Sequence, residues 1–240
     1  MKKYFCKSVF KQITAVIFFT LIIWREKKKS NNINCHYLIF NMLKNPIPKV
    51  TNQLQYRAIG IINGKFTPNE SGQLNRGFLI DDKGEKIETV ILGKALSLLK
   101  KHIDLKKSYY WIVYPKNKNT QHLHLQVAGI WDPYQLNDFP NDSSKTNFSK
   151  LLEKLDLKDN YFSVRGELVF VNTQKKEFVI KICSAIKSKN LKNKNFKLVI
   201  KGELSLELLH SFVSLDIKRD GNSLKLIKYE VIEKNLSKNN

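Results

Sequence analysis

YRAIGIINGKF, residues 56–66, and YFSVRGELVF, residues 161–170, are the two stretches that decide the fold of this chain. In each, apolar or small side chains occupy every second position, which is the period of a β-strand. Glycine weakens a strand, but it is expected where a strand coils sharply around a small barrel. We match Gly60 of the first stretch to Gly166 of the second. The two stretches therefore predict the first strands of two similar barrels.

The residues after the first stretch complete one barrel. A hairpin signal, Asp82-Lys83-Gly84, joins the second strand to the third. Residues 94–103 (KALSLLKKHI) then place apolar side chains at helical spacing. The five predicted strands cover residues 56–66, 77–80, 86–92, 109–114 and 123–131. A helix between strands three and four is the element order of an oligonucleotide/oligosaccharide-binding (OB) barrel.

The second stretch begins the same order of elements. Asp220-Gly221 is a strong turn signal between the last two strands, and the helix is reduced to residues 205–210. The five predicted strands cover residues 162–170, 178–183, 196–204, 212–218 and 223–232. We therefore predict a mainly β protein with two small five-stranded OB-like barrels in tandem, at residues 56–133 and 161–233.

Composition predicts what lies between and after the barrels. Residues 134–160 are a linker, because residues 137–147 are rich in Asn, Asp, Ser and Pro. Residues 148–157 favour a short helix with Ser149 as its N-cap. Residues 234–240 are predicted to be a disordered tail.

Residues 1–41 form a basic and apolar N-terminal extension with three interpretations. The apolar run of residues 12–24 (QITAVIFFTLIIW) is flanked by basic residues. It is shorter than the roughly 17 to 25 residues of a transmembrane helix, so it would anchor in a membrane only with snorkelling lysines. A signal peptide should end at small residues, whereas this run ends in Trp-Arg-Glu-Lys. The third interpretation is a mis-called start, since the globular pattern follows Met42.

Cysteine usage indicates a reducing compartment. Cys6, Cys35 and Cys183 are scattered, their number is odd, and the sequence has no C-x-x-C motif. We therefore expect a cytoplasmic protein, or a membrane-anchored one if residues 9–24 bind a membrane.

The net charge of +21 indicates anionic partners, namely nucleic acid or a membrane surface. Part of this charge has another source, because a chain rich in Lys and Asn with few Arg is typical of an AT-rich genome. The placement of the charges is more specific. If the apolar positions of the second barrel point inward, basic side chains of its first three strands point outward, on the face with which OB barrels bind oligonucleotides. We predict a nucleic-acid-binding surface of Arg165, Lys181, Lys187, Lys189, Lys192, Lys194, Lys197, Lys201, Lys218 and Arg219.

The sequence contains no catalytic or metal-binding pattern. His122 and His124 share one strand face, but a structural zinc site needs four ligands and no third is near in sequence. Nucleophile elbows and phosphate loops do not occur, and Asp81-Asp82 is a turn. We therefore expect no enzyme activity, no cofactor and no metal.

Three consecutive aromatic residues, Tyr109, Tyr110 and Trp111, have two interpretations. They would either stack on the bases of a single strand or fill the barrel core. Alternation along a strand favours the core, with one of the three rings facing a ligand groove.

The strings YRAIGIINGKFTPNESGQLNRGFLI, HLHLQVAGIWDP and FSVRGELVF resemble a family of uncharacterised cyanobacterial proteins. The similarity covers residues 42–233, and its most specific positions are residues 56–60 and 129–133. Family members begin near Met42, so the N-terminal extension departs from the family pattern. The resemblance implies a cyanobacterial-like lineage and carries over no activity.

These observations predict a non-enzymatic binding protein. Its expected partner is single-stranded RNA or DNA, bound through the basic barrel faces. The alternative is a protein-interaction or complex-assembly module with a protein partner and no nucleic-acid role, because small barrels host many functions. A membrane is expected as a partner only if residues 12–24 anchor the chain.

Overall fold

A computed structural model describes residues 46–70, 72–118, 122–131, 153, 156, 158–183 and 195–234. The N-terminal extension, most of the predicted linker and most of the predicted tail lie outside the described residues. So does the basic loop between the second and third strands of the second barrel.

The first barrel, called barrel 1 below, consists of five strands and one helix. Its elements are β1 (Arg57–Pro68), β2 (Arg76–Ile80), β3 (Lys86–Ile91), α1 (Gly93–His102), β4 (Tyr109–Lys118) and β5 (His122–Trp131). The strands close in the order β1-β2-β3-β5-β4-β1, and β3 and β5 are parallel. Helix α1 buries Ala95 and Leu99 in the core. This order confirms the predicted OB-like barrel with a helix between strands three and four.

The second barrel, called barrel 2 below, repeats the frame without a comparable helix. Its elements are β6 (Tyr161–Asn172), β7 (Glu177–Cys183), β8 (Asn195–Lys201), a 3-10 turn (Leu206–Leu208), β9 (Phe212–Asp220) and β10 (Ser223–Glu233). The strands close in the order β6-β7-β8-β10-β9-β6. In the described strands, β8 and β10 meet at one parallel pair, Lys201 with Lys225, whereas β3 and β5 share three. Barrel 2 is therefore closed less tightly between its third and fifth strands.

The structure corrects the glycine correspondence that we predicted between the barrels. Gly64 and Gly166 are the equivalent pair, because the residue after each faces the second strand of its own barrel at the matching register. A Cβ at Gly64 would lie 2.5 Å from the carbonyl oxygen of Ile80, and one at Gly166 would lie 2.4 Å from that of Lys181. Glycine permits this close backbone approach where the first strand coils. The match of Gly60 to Gly166 is wrong by four residues.

The first strands of the two barrels join them edge to edge. β1 and β6 pair antiparallel over five residue pairs, so that all ten strands belong to one sheet. Gly60 faces Phe162 within this pairing, and the two occupy equivalent positions in their barrels. A Cβ at Gly60 would lie 2.1 Å from the Phe162 ring. The joint therefore has an approximate twofold axis, with each first strand offering the same edge to the other.

Side chains from both barrels share one hydrophobic core. Phe66 and Trp111 of barrel 1 and Phe178 of barrel 2 are among its largest fully buried members. Trp111 satisfies its indole by donating from Nε1 to the carbonyl oxygen of Gly64 at 2.8 Å. A second, smaller cluster of buried residues consists of Ile59, Ile112 and Trp131.

Polar contacts also fix one barrel against the other. The backbone N–H of Asn63 in β1 donates to Asp159 Oδ1, just before β6, at 2.6 Å. Burial raises the pKa of Asp159, although its hydrogen bonds from backbone N–H groups act in the opposite direction. At the other end of the joint, the N–H of Val199 in β8 donates to Asn117 Oδ1 of β4 at 3.1 Å. The two barrels are thus connected at several separate places.

The possible transmembrane segment is a prediction that needs correction. In the described part of the chain, no helix combines the length and the hydropathy that crossing a bilayer requires. This finding contradicts that prediction, and we do not propose such a segment. Residues 12–24, on which the prediction rested, lie outside the described residues.

Candidate nucleic-acid interface

The structure describes six of the ten residues predicted to bind nucleic acid. Lys197, Lys201 and Lys218 are exposed. Lys181 is less accessible, because its Nζ lies 2.9 Å from Glu167 Oε2. This hydrogen bond raises the pKa of Lys181. The remaining four predicted residues lie outside the described residues: Lys187, Lys189, Lys192 and Lys194.

Arg165 was predicted to point outward, and this prediction is wrong. It is buried at the β1–β6 joint, with 7% of its surface exposed. Its guanidinium donates to the carbonyl oxygens of Gln53 and Gln55 and to Ser214 Oγ. The segment before β1 covers this side chain and uses its donors, so we remove Arg165 from the predicted surface.

Arg219 was also predicted to lie on the surface, and it too is buried, with 5% exposed. Its guanidinium pairs with Asp81 in the turn between β2 and β3, and with Glu85 Oε2 at 2.8 Å. Its Nε donates to Asn160 Oδ1 at 2.7 Å. The acidic turn of barrel 1 therefore holds Arg219 of barrel 2, and this arginine connects the barrels instead of facing a ligand.

Each barrel presents one exposed phenylalanine at the same level of its outer face. Phe78 in β2 is 36% exposed and faces Thr67 across the sheet. Phe170 in β6 is 50% exposed and faces Val179. Because directly opposed residues point to the same side of a sheet, these two pairs form equivalent rows. In barrel 1 the ring is on the second strand, and in barrel 2 it is on the first strand.

Phe170 faces outward because of a β-bulge that the sequence pattern did not reveal. Strict alternation along residues 161–170 would place it inward, on the face of Leu168. The register shifts between Leu168 and Phe170, which turns the following side chain to the other face. The sequence could have predicted that Phe78 is exposed, because Leu79 beside it is an inward-facing residue and neighbouring side chains of a strand point to opposite faces. Both rings are surface features that we did not predict.

Basic side chains lie on the same outer faces as the exposed rings. Lys86 on β3 and Lys197 on β8 occupy equivalent positions, each one row away from the phenylalanine. Lys86 is on the strand next to Phe78, where Glu88 faces the ring directly, whereas Lys197 is two strands away from Phe170. Neighbouring rows on one face are about 7 Å apart along a strand. Lys65 and Arg76 are exposed on the same face of barrel 1. A ring beside cationic side chains can stack on a base while the cations contact phosphates.

Three lysines cross the far side of barrel 2 as direct neighbours. Lys201 faces Lys225, and Lys225 faces Lys218, so they form one row across β8, β10 and β9. We call this the lysine row. Within the described residues, none of the three forms an ion pair with a carboxylate. Like charges placed opposite one another destabilise a sheet, so this arrangement favours an anionic partner.

The aromatic run of β4 lies mostly inside. Tyr109 and Trp111 are buried in the core. Tyr110 lies on the other face, half-buried, with its ring edge-on to Trp131 at 6.0 Å. The Nδ1 atom of His122 lies 3.1 Å from the Nδ2 atom of Asn222 in barrel 2. Among the described residues, no group of His, Cys, Asp or Glu is placed to hold a metal ion.

Comparisons with known proteins agree with this architecture. Residues 58–138 match the family model described as the PatR RNA-binding protein, N-terminal OB-fold domain. Residues 164–233 match the model described as a cyanobacterial OB-fold-like RNA-binding domain, C-terminal. The chain belongs to this cyanobacterial family of tandem OB-fold proteins, which confirms both the resemblance and the predicted fold.

The other comparisons add less. No curated protein matches this chain. Among solved structures, a deletion mutant of the single-stranded DNA binding protein from Thermus aquaticus is similar, with 10% identity and a TM-score of 0.34. The match covers 74% of this chain and 95% of that one. A TM-score this low carries no argument about this protein.

Proposed function

We propose that this chain binds single-stranded RNA without catalysing a reaction. The binding surface would be the outer face of β1, β2 and β3 in barrel 1 and of β6, β7 and β8 in barrel 2. The observation that carries the proposal is the exposed phenylalanine in the same row of both barrels, with Lys86 and Lys197 at equivalent positions on the same outer faces. The cytoplasm is the compartment that suits this role.

Stacking and charge have separate tasks in this proposal. An unpaired base can lie on an exposed ring, whereas the bases of a duplex are already stacked on one another. Phe78 and Phe170 therefore support a single strand as the ligand. The lysines would contact phosphates, independent of sequence. That both family descriptions name RNA supports RNA over DNA.

Fluorescence anisotropy of the full chain with labelled single-stranded RNA, single-stranded DNA and duplex RNA tests this function. We expect binding to single-stranded RNA that weakens steeply as salt is raised, because bound lysines release counterions. We expect weaker binding to the duplex. Equal binding to all three nucleic acids, or no binding at low salt, would contradict the proposal.

A charge-reversal variant locates the surface. Lys197→Glu with Lys201→Glu should weaken RNA binding and reduce the slope of log affinity against log salt by about 1.4, or about 0.7 for each lost phosphate contact. The matched control is Lys100→Glu with Lys101→Glu. These two lysines are exposed on α1, outside both faces, and their reversal changes the net charge equally.

The two variants also separate specific from general attraction. If the control weakens binding as much as the face variant, total charge and not the barrel face attracts RNA. Capture of one protein partner by a chain that does not bind RNA would favour the assembly-module alternative.

A further inference from the structure

Barrel 2 has a cavity at one end. The cavity has a volume of about 360 Å³. It lies between the loop that follows β6 and the segment that follows β8, and Tyr229 of β10 lines one wall. This volume is near the lower end of the range for small-molecule pockets, so it suits one aromatic heterocycle.

The cavity exists because barrel 2 lacks the helix of barrel 1. Tyr229 faces Leu215 in barrel 2 at the position where Ile130 faces Trp111 in barrel 1. Ile130 is 9% exposed and packs in the core that contains the buried side of α1. Tyr229 is 43% exposed, because only the 3-10 turn Leu206–Leu208 follows β8. The end that α1 covers in barrel 1 is open in barrel 2.

β8 ends beside this opening. After the pair of Lys201 and Lys225, the described strands form no further bridge to each other. Gly202 follows with φ +147 and lines the cavity, with its N–H bonded to the carbonyl oxygen of Lys176. Gly202 lies close to β10, because a Cβ at this position would lie 2.7 Å from the Cβ of Leu226.

The lining offers polar groups around an aromatic wall. Asn172 uses Oδ1 to accept from the N–H of Lys175, which leaves its amide donors for a ligand. Thr173 and Tyr229 line the cavity, and among the described residues neither side chain has a hydrogen-bond partner. Lys176 and Glu203 pair at 2.7 Å at the wall, so the lining itself carries no net charge.

The lysine row does not line the cavity. Lys225 faces Lys218 on the exposed side of the sheet, whereas Tyr229 faces Leu215 on the core side, so the two side chains leave opposite faces of β10. A neutral polar pocket with an aromatic wall matches an uncharged base.

We propose that the open end of barrel 2 binds one unstacked nucleobase of the RNA strand, stacked on Tyr229. The inference rests on the proposed RNA-binding function and extends it to a site outside the two phenylalanine faces. Asn172 and Thr173 would donate to the base edge.

A mononucleotide titration tests the pocket without the strand. In a Tyr229→Trp variant, the indole should be quenched saturably by at least one of AMP, GMP, CMP and UMP in the millimolar range. Ribose 5-phosphate is the control ligand, because it keeps the phosphate and lacks the base. The parent chain is the control protein, since its described tryptophans are both buried. No quenching by any mononucleotide, or equal quenching by ribose 5-phosphate, would overturn the proposal.

RNA binding provides the second arm. Tyr229→Ala should weaken binding of single-stranded RNA about 5- to 150-fold, the equivalent of one lost stacking contact. Tyr229→Phe keeps the ring and should stay within about 5-fold of the parent chain. A thermal melt of each variant by circular dichroism confirms that barrel 2 is folded.

The two arms distinguish failure of the pocket from failure of the function. If Phe78→Ala and Phe170→Ala weaken RNA binding while Tyr229→Ala does not, the base pocket is overturned and the proposed function stands. If the parent chain binds no RNA at low salt, the proposed function is overturned. Quenching by a mononucleotide would then still support a nucleotide pocket at Tyr229.

Discussion

Barrel 1 and barrel 2 share one strand frame and differ in how their ends are closed. In barrel 1, α1 buries Leu99 and covers the position of Ile130. In barrel 2, a 3-10 turn replaces the helix, and Tyr229 at the same position is exposed. The comparison shows that the strands of this barrel can close without the helix. The aromatic ring at the uncovered position is then accessible.

The barrels also differ in the charged side chains that they contribute to the contact between them. The β2–β3 turn of barrel 1 supplies carboxylates, and β9 of barrel 2 supplies the arginine that they bind. The lysine row of barrel 2 begins beside this contact, because Lys218 directly precedes Arg219, but Lys218 is exposed whereas Arg219 is buried. The charged groups at the joint therefore hold the two barrels together, whereas those of the lysine row remain available to a ligand.

Breaking the joint should have the largest effect on stability. Arg219→Ala leaves the buried Asp81 carboxylate without its partner, and we expect a loss of about 3–5 kcal/mol in the free energy of unfolding. Urea denaturation followed by circular dichroism measures it. Lys176→Ala is the control, because its pair with Glu203 is exposed and the substitution should leave the free energy of unfolding nearly unchanged. A loss below about 1 kcal/mol for Arg219→Ala would show that the joint does not depend on this contact.

Truncating the two barrel ends should sharpen the contrast between them. Leu99→Ala removes a side chain that is 2% exposed and should cost about 2–5 kcal/mol. Leu206→Ala, in the 3-10 turn, removes one that is 55% exposed and should change stability by no more than about 0.5 kcal/mol. Chemical denaturation of both variants measures their losses in the free energy of unfolding. Equal losses would mean that the 3-10 turn supports barrel 2 as α1 supports barrel 1.

The smallest expected effect concerns the lysine row. Lys225→Glu places a carboxylate between Lys201 and Lys218, and should stabilise barrel 2 by about 0.2–1 kcal/mol while weakening RNA binding. Lys228→Glu is the matched control, because Lys228 faces Asp216 and the change creates a repulsive pair. Thermal melts and anisotropy on the same samples compare the two. A Lys225→Glu chain that is less stable than the parent would contradict the like-charge account of this row.

Local pattern was enough to predict the strands and α1. Alternation in β1 and β6, the turn at Asp220-Gly221 and the helical spacing in KALSLLKKHI depend only on neighbouring residues. Each prediction agrees with its observed element to within one residue, or joins two of the elements. The family match confirms the tandem barrels that followed from them.

The candidate site was harder to predict, because the exposure of its side chains depends largely on contacts with residues that are distant in sequence. Arg165 and Arg219 look like surface charges in sequence, but the β1–β6 joint and the turn of Asp81 bury them. Phe170 is exposed through one bulge, and Tyr229 is exposed because a helix is absent elsewhere. The bulge lies directly beside Phe170, but the other three causes lie far in sequence from the side chains that they affect.

The central claim is that both barrels bind RNA through equivalent exposed rings. Isothermal titration calorimetry with an RNA of about 8 nucleotides, within the 4 to 16 that one OB fold occupies, tests it most directly. We expect two strands bound per parent chain and one strand per chain for either Phe78→Ala or Phe170→Ala. One strand per parent chain, with only one of the two substitutions affecting it, would contradict the claim.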